Sequence, residues 1–147
     1  MIDRIMIDSN IWIYALTKPK KQNDLIKRNL SLKFFEQIIE SEALLIVTIQ
    51  IINECHYNFI NKFTIEEKLA RRIIKQNIIK ISTIVPFYIK TYYLACNLRE
   101  KYTLSYWDSL IIASAIENNC NVLYSEDMQH NQVINDTLKI VNPFIEG

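Results

Sequence analysis

Glycine is nearly missing from this chain of 147 residues; the only one is Gly147, the last. The G-x-x-x-x-G-K-[ST] phosphate loop, the G-x-G-x-x-G dinucleotide turn and the G-x-S-x-G nucleophile elbow each need backbone that only glycine lets turn sharply or approach a ligand. Their absence argues against the standard nucleotide-cofactor enzymes and the α/β-hydrolases. Histidine is scarce too. His56 and His130 are the two present, which argues against a histidine-rich zinc site and gives a Ser-His-Asp arrangement no supporting motif. Cys55, Cys96 and Cys120 are odd in number, far apart and set among apolar neighbours, as buried thiols are. No apolar run reaches the roughly 18 residues of a membrane span, and the opening MIDRIMIDSN has no secretory pattern. No membrane partner is expected, and the cytoplasm is the expected compartment. Charge of one sign is not in excess either. With 17 basic and 16 acidic residues the net is +1, so a nucleic-acid partner would need a local basic patch.

What is present is an ordinary globular balance, 50% hydrophobic and 22% charged, in a length that suits one domain over 1–147 with its own core. RIMID (4–8) is a short apolar run, and SNIWIYALT suits a helix entered through Ser9 or Asn10. Leu30, Phe34, Phe35, Ile38 and Ile39 recur at helical spacing over about 25–41. ALLIVT (43–48) reads as a buried strand, followed by helices over about 49–62 and 64–80. The second of these is expected to begin at Thr64, with Glu67 completing a T-x-x-E capping box. STIVPF (82–87) reads as a strand, then helices over about 87–100 and 105–118, a strand NVLYS (121–125), a polar loop, and a fifth strand at LKIV (138–141). Short apolar strands alternating with helices predict an α/β fold: a parallel sheet of about four or five strands, covered on both faces.

In such sheets ligands gather outside the carboxyl ends of the strands, which turns the scattered acids into a geometric question. Asp8 ends the first strand, Glu54 lies early in the helix after the second, Asp108 opens a later helix, and Asp127 follows the fourth strand. Each also has a structural explanation. Asp8 suits a turn, Asp127 a polar loop, and Glu54 a solvated helix face with Gln50, Tyr57 and Asn61. Asp108 pairs with Ser105 in an S-x-x-D capping box at a helix N-terminus, where the helix dipole favours an acid. Yet its helix, YWDSLIIASAIE, is apolar almost all round, and a buried charge needs a partner. Four carboxylates in one cleft would repel one another unless a cation balanced them, and Mg²⁺ or Mn²⁺ prefers such oxygen donors.

Three stretches carry a resemblance: MIDSNIWIYAL, INECHYN and YTLSYWDSLIIASAIENNCNVLYSEDMQHNQVI. Together they are similar to the PIN-domain nucleases, and among them to the VapC-type toxins of bacterial toxin–antitoxin pairs. The resemblance implies a PIN-like three-layer sandwich and Mg²⁺- or Mn²⁺-dependent endoribonuclease activity that leaves a 5′-phosphate and a 3′-hydroxyl. It also implies a small antitoxin as partner and a homodimer. Carried over by motif, the acidic cluster is Asp8, Glu54, Asp108 and Asp127, with Asn10 and Ser125 as the polar residues that shape it. Asp127 either completes a second metal position or orients the attacking water. Such sequences commonly have glycine where this one has Asn131; asparagine adopts the left-handed backbone most readily after glycine, so the turn is expected to survive.

Candidate phosphate contacts are Lys18, Lys20 and Lys21, the group Arg71, Arg72 and Lys75, and Arg99 with Lys101; for each, a solvated surface is the simpler explanation. Trp12 and Tyr14 are assigned to core or interface. Two other readings compete. One is a non-catalytic PIN-like interaction module. The other is a phospho-acceptor domain whose lysine would be Lys139, which stands before its strand's end and not at it.

Overall fold

The computed structural model describes residues 2–145. Among these residues six strands and six α-helices follow one another as β1 (Arg4–Ile7), α1 (Ser9–Leu16), α2 (Gln22–Ser41), β2 (Leu44–Thr48), α3 (Ile49–Asn61), α4 (Glu67–Asn77), β3 (Thr83–Val85), α5 (Ile89–Lys101), α6 (Tyr106–Glu117), β4 (Val122–Tyr124), β5 (Val133–Ile134) and β6 (Leu138–Val141), with one short 3-10 helix, Ile79–Ile81, before β3. One sheet holds all six strands in the order β3-β2-β1-β4-β6-β5, parallel except for the β5–β6 pair. The fold is the expected α/β arrangement, with one strand more than expected.

Consecutive residues of the central strands are buried: Ile5, Met6 and Ile7 in β1, Leu45, Ile46 and Val47 in β2. Because neighbouring side chains in a strand point to opposite faces, this pattern requires cover on both sides. From β1 the chain moves to β2 and β3 on one side, then crosses to β4 on the other. The junction of β1 and β4 is therefore a topological switch point, where a crevice opens at the strand ends.

Helix starts show how little room the local signals leave. Thr48 ends β2 and caps α3, its Oγ1 accepting from the Ile51 N–H at 3.1 Å in a buried position. Thr48→Val keeps the shape and leaves that N–H unpaired. We expect a loss of about 1–2 kcal/mol, read as a lower urea midpoint at unchanged slope. The T-x-x-E box does not form. Thr64 has φ 54°, in the left-handed region, and α4 begins at Glu67 after Glu66 as N-cap with no side-chain cap bond. Thr64 caps nothing because its backbone is spent on the reversal after α3.

Without internal glycine, asparagine and aspartate take most of the left-handed positions: Asn119, Asn131, Asn135 and Asp136. Asn131, at φ 66°, keeps its turn as expected, its N–H donating to the Ile140 carbonyl at 2.8 Å. Asn135 and Asp136 form the tight turn that pairs β5 with β6. All three cysteines are free. Cys55 and Cys120 are buried, and burial pushes the Cys120 thiol up to about 12. Among the described residues no helix is long and apolar enough to cross a membrane.

Candidate functional site

β1 ends at Ile7, and the next three residues each take a separate task. Asp8 is itself the N-cap of α1, its Oδ1 accepting from the Ser9 N–H at 2.8 Å. This corrects the expected entry through Ser9 or Asn10: the acid caps, so the other two side chains are free to reach across the crevice. Ser9 Oγ donates to Glu54 Oε2 at 2.7 Å, and Asn10 Nδ2 donates to Asp127 Oδ2 at 2.6 Å. The second Asp8 oxygen, Oδ2, accepts from Ser125 Oγ at 3.0 Å, while the Asp8 N–H continues the ladder to the Tyr124 carbonyl at 2.9 Å. Ser125 is fully buried behind Asp8.

Glu54 sits half-buried on α3, beside the buried stripe of Ile51, Cys55 and Phe59. Gln50, one turn earlier, donates Nε2 to Glu54 Oε1 at 3.0 Å and to the Trp107 carbonyl at 3.3 Å. One amide thus joins the helix that carries Glu54 to the first turn of the helix that carries Asp108. Ser105 caps α6, its Oγ accepting from the Asp108 N–H at 3.1 Å. Only this half of the capping box forms. Among the described residues no hydrogen bond reaches the Asp108 carboxylate, so the cap is complete without it.

Asp8, Glu54, Asp108 and Asp127 all line one open cavity of about 1260 Å³, with Asn10 and Asn58 in its wall and Ile49, Tyr57, Phe87 and Trp107 on its apolar side. The four come from the ends of β1 and β4 and from the early turns of α3 and α6. Asp8 is 6% exposed, and loss of water raises its carboxyl from 3.8 to about 6. The bond from Ser9 opposes this, the charges of Glu54 and Asp108 add to it, and the bond from Ser125 again opposes it. Asp127 is exposed as a residue, yet its carboxyl is drawn in toward Asn10. Partial desolvation raises it first, then the charges of Glu126 and Asp108.

Among the described residues, no three Asp, Glu, His or Cys side chains form a set that could hold a metal ion by themselves. Glu54 and Asp127 are turned to Ser9, Gln50 and Asn10 instead. The donor chemistry nevertheless suits Mg²⁺ or Mn²⁺: every charged group lining the cavity is a carboxylate, and among the described residues the Gln50 Oε1 beside them is buried without a partner. Mg²⁺ keeps several waters and takes one or two carboxylates, and so does not require a closed protein cage.

Several residues of the site were not anticipated. Ser9 and Gln50 hold Glu54; the spacing of four between Gln50 and Glu54 on a polar helix face was the available signal. Glu126, next to Asp127, is bound by Lys27 Nζ at 2.6 Å and by Tyr14 Oη at 3.0 Å, a junction that nothing local announces. Trp12 belongs to the core, 2% exposed with its Nε1 donating to the Ile7 carbonyl. Arg71, Arg72, Lys75, Arg99 and Lys101 do not line the cavity.

The family profile described as PIN domain matches residues 5–134. The chain belongs to the PIN-domain family. Its fold is similar to VapBC2 from Rickettsia felis, solved bound to a DNA fragment from its promoter, with a TM-score of 0.66 at 16% identity over 95% of this chain and 99% of that one. It is also similar to a toxin–antitoxin complex from Klebsiella pneumoniae, with a TM-score of 0.64 at 18% identity over 95% and 98% of the two chains. A third likeness is to VapC20 of Mycobacterium tuberculosis, described as a sarcin-ricin-loop-cleaving toxin, with a TM-score of 0.60 at 8% identity over 81% and 86%. No curated protein matches the chain.

Proposed function

We propose that this protein is a Mg²⁺- or Mn²⁺-dependent endoribonuclease, the toxin of a toxin–antitoxin pair, acting in the cytoplasm as a homodimer that a small antitoxin inhibits. The observation that carries the reading is the meeting of four carboxylates from four separate elements on one cavity at the carboxyl edge of the sheet. A scaffold has no use for that repulsion. Family membership and the likeness to toxin–antitoxin complexes support the same reading.

Asp8, Glu54 and Asp108 are the residues that would hold the cation. When bound, it would supply a Lewis acid for a phosphoryl oxygen and lower the pKa of a nearby water. Ser9 and Gln50 fix the Glu54 carboxylate, and Ser125 fixes that of Asp8, so that each presents its oxygens without rotating. Asp127 keeps Oδ1 free while Asn10 holds Oδ2. That free oxygen would either complete a second metal position or orient the attacking water.

The test is cleavage of a small-RNA pool by the purified protein, free of antitoxin, in Mg²⁺, in Mn²⁺ and in chelator. Discrete cuts with either metal and none in chelator are expected, together with a metal-dependent rise in melting temperature. No cuts and no thermal shift with either metal would sink the proposal.

A further inference from the structure

The cationic residues are not spread evenly around the acid cavity. Its wall at Asn10 and Asn58 is shared with a small hollow of about 40 Å³. That hollow shares Pro19, Asp24, Lys62 and Phe63 with a third, of about 260 Å³, which Lys18, Lys20, Lys21 and Lys62 line. Three of these lysines come from the loop between α1 and α2, and the fourth from the C-cap of α3. The fold brings Lys62 to the three lysines that the sequence already groups.

All four are exposed. Among the described residues none joins an ion pair; the pairs that form are Lys27–Glu126 and His56–Glu67. Asp24 is the one acid in the lining, against four ammonium groups. Four like charges around one carboxylate do not stabilise the fold, since exposed like charges repel at close range. Lys62 Nζ lies 5.6 Å from the centroid of the Phe63 ring, which keeps the ammonium at the rim of the hollow. The other basic candidates, Arg71, Arg72, Lys75, Arg99 and Lys101, line none of the three hollows.

We infer that Lys18, Lys20, Lys21 and Lys62 form a phosphate-binding subsite for the RNA strand that crosses the acid cavity. The strand leaves the cavity past Asn10 and Asn58, and its backbone beyond the scissile phosphate is gripped by the lysines. The inference rests on the reading of the acid cavity as a nuclease centre and assigns it a direction of exit. Lysine meets phosphate as a point charge without reading bases, so the subsite positions the strand and is sensitive to salt.

The probe is a fluorescent 12-nucleotide single-stranded oligoribonucleotide, bound in chelator so that nothing is cut, at several salt concentrations. Replacing all four lysines by alanine is expected to raise Kd at least tenfold. Each phosphate left without its lysine lowers the slope of log K against log salt by about 0.7, so the slope falls by about 2–3. Arg71→Ala with Arg72→Ala leaves both unchanged. In Mg²⁺ the lysine variant raises KM with little change in kcat, as loss of uniform binding does. Lysine-dependent binding with neither cleavage nor a metal-dependent thermal shift keeps the subsite and removes the nuclease reading. Cleavage with Kd and slope indifferent to the lysines removes the subsite and keeps the nuclease, leaving the surface to an acidic protein partner. A wild type that binds no oligoribonucleotide also overturns the inference. Unchanged melting curves establish that the variants are folded.

Discussion

Asp108→Asn is expected to lower metal-dependent RNA cleavage by about 100-fold or more while leaving helix α6 in place. Groups that merely orient a ligand cost roughly 10–100-fold in metal affinity or activity when removed, and a ligand itself should cost at least the upper end. The fold should survive because Ser105 Oγ already accepts the Asp108 N–H, and among the described residues no hydrogen bond depends on the Asp108 carboxylate. The helix loses a dipole interaction of about 0.3–1 kcal/mol, partly offset by relief of the repulsion that Asp108 exerts on Asp8 and Asp127. Ser105→Ala is the complementary variant. It removes the cap, costing about 1 kcal/mol of stability, and leaves the carboxylate where it was, so cleavage per folded molecule should hold. If instead Asp108→Asn melts early and cleaves normally, the carboxylate serves the helix and not the reaction.

The same pair of residues shows what a sequence can carry and what it cannot. S-x-x-D correctly places the start of α6, because capping is local and Ser105 answers it within one turn. Whether Asp108 is spent on that cap is decided by geometry, and the serine alone suffices. T-x-x-E at Thr64 is the same kind of pattern and fails, because the preceding reversal puts Thr64 in a left-handed conformation where its hydroxyl cannot serve the next helix. Two residues of strand are too few for an alternating pattern, so β5 went unread. Its signal was the Asn135-Asp136 turn between VI and LKIV, both with positive φ and closed by the Thr137 N–H to the Ile134 carbonyl at 3.1 Å. The order of strands and helices was legible because apolar runs and turn residues are short-range features. The convergence of Asp8, Glu54, Asp108 and Asp127 could be anticipated from their places after strands and at a helix start. Their partners could not. Ser9 to Glu54, Asn10 to Asp127 and Lys62 to the lysine loop are pairings across the fold, with no local trace.

Asp8→Asn should make the metal-free protein more stable at neutral pH, and the gain should vanish in acid. Asp8 titrates near 6 when folded, chiefly because it is buried, against 3.8 in an open chain. Between those values the folded state holds a proton that the unfolded state has released, so stability falls as pH rises through that window. Above it, the difference corresponds to about 3 kcal/mol of destabilisation from this one carboxylate. Asparagine carries no charge to desolvate. Its Oδ1 can accept from Ser9 N–H as the acid does, and Ser125 can turn its hydroxyl to accept from the new amide. Some of the gain is given back, since an anionic cap at a helix N-terminus is worth about 0.3–1 kcal/mol. The net expectation is about 2 kcal/mol at pH 7.5 in chelator, shrinking toward zero by pH 4. Urea unfolding of both proteins across that range measures it, and taking the difference removes the other carboxylates from the comparison. Adding Mg²⁺ should reverse the order, because a cation that binds only the folded wild type stabilises it by mass action and has one ligand fewer in the variant. Parallel pH curves would mean that burying Asp8 costs nothing. A wild type that is the more stable protein in chelator at pH 7.5 would mean that its two hydrogen bonds outweigh desolvation. The predicted outcome would instead show a carboxylate kept at the expense of stability, as expected of a residue retained for the cation it holds and not for the helix it caps.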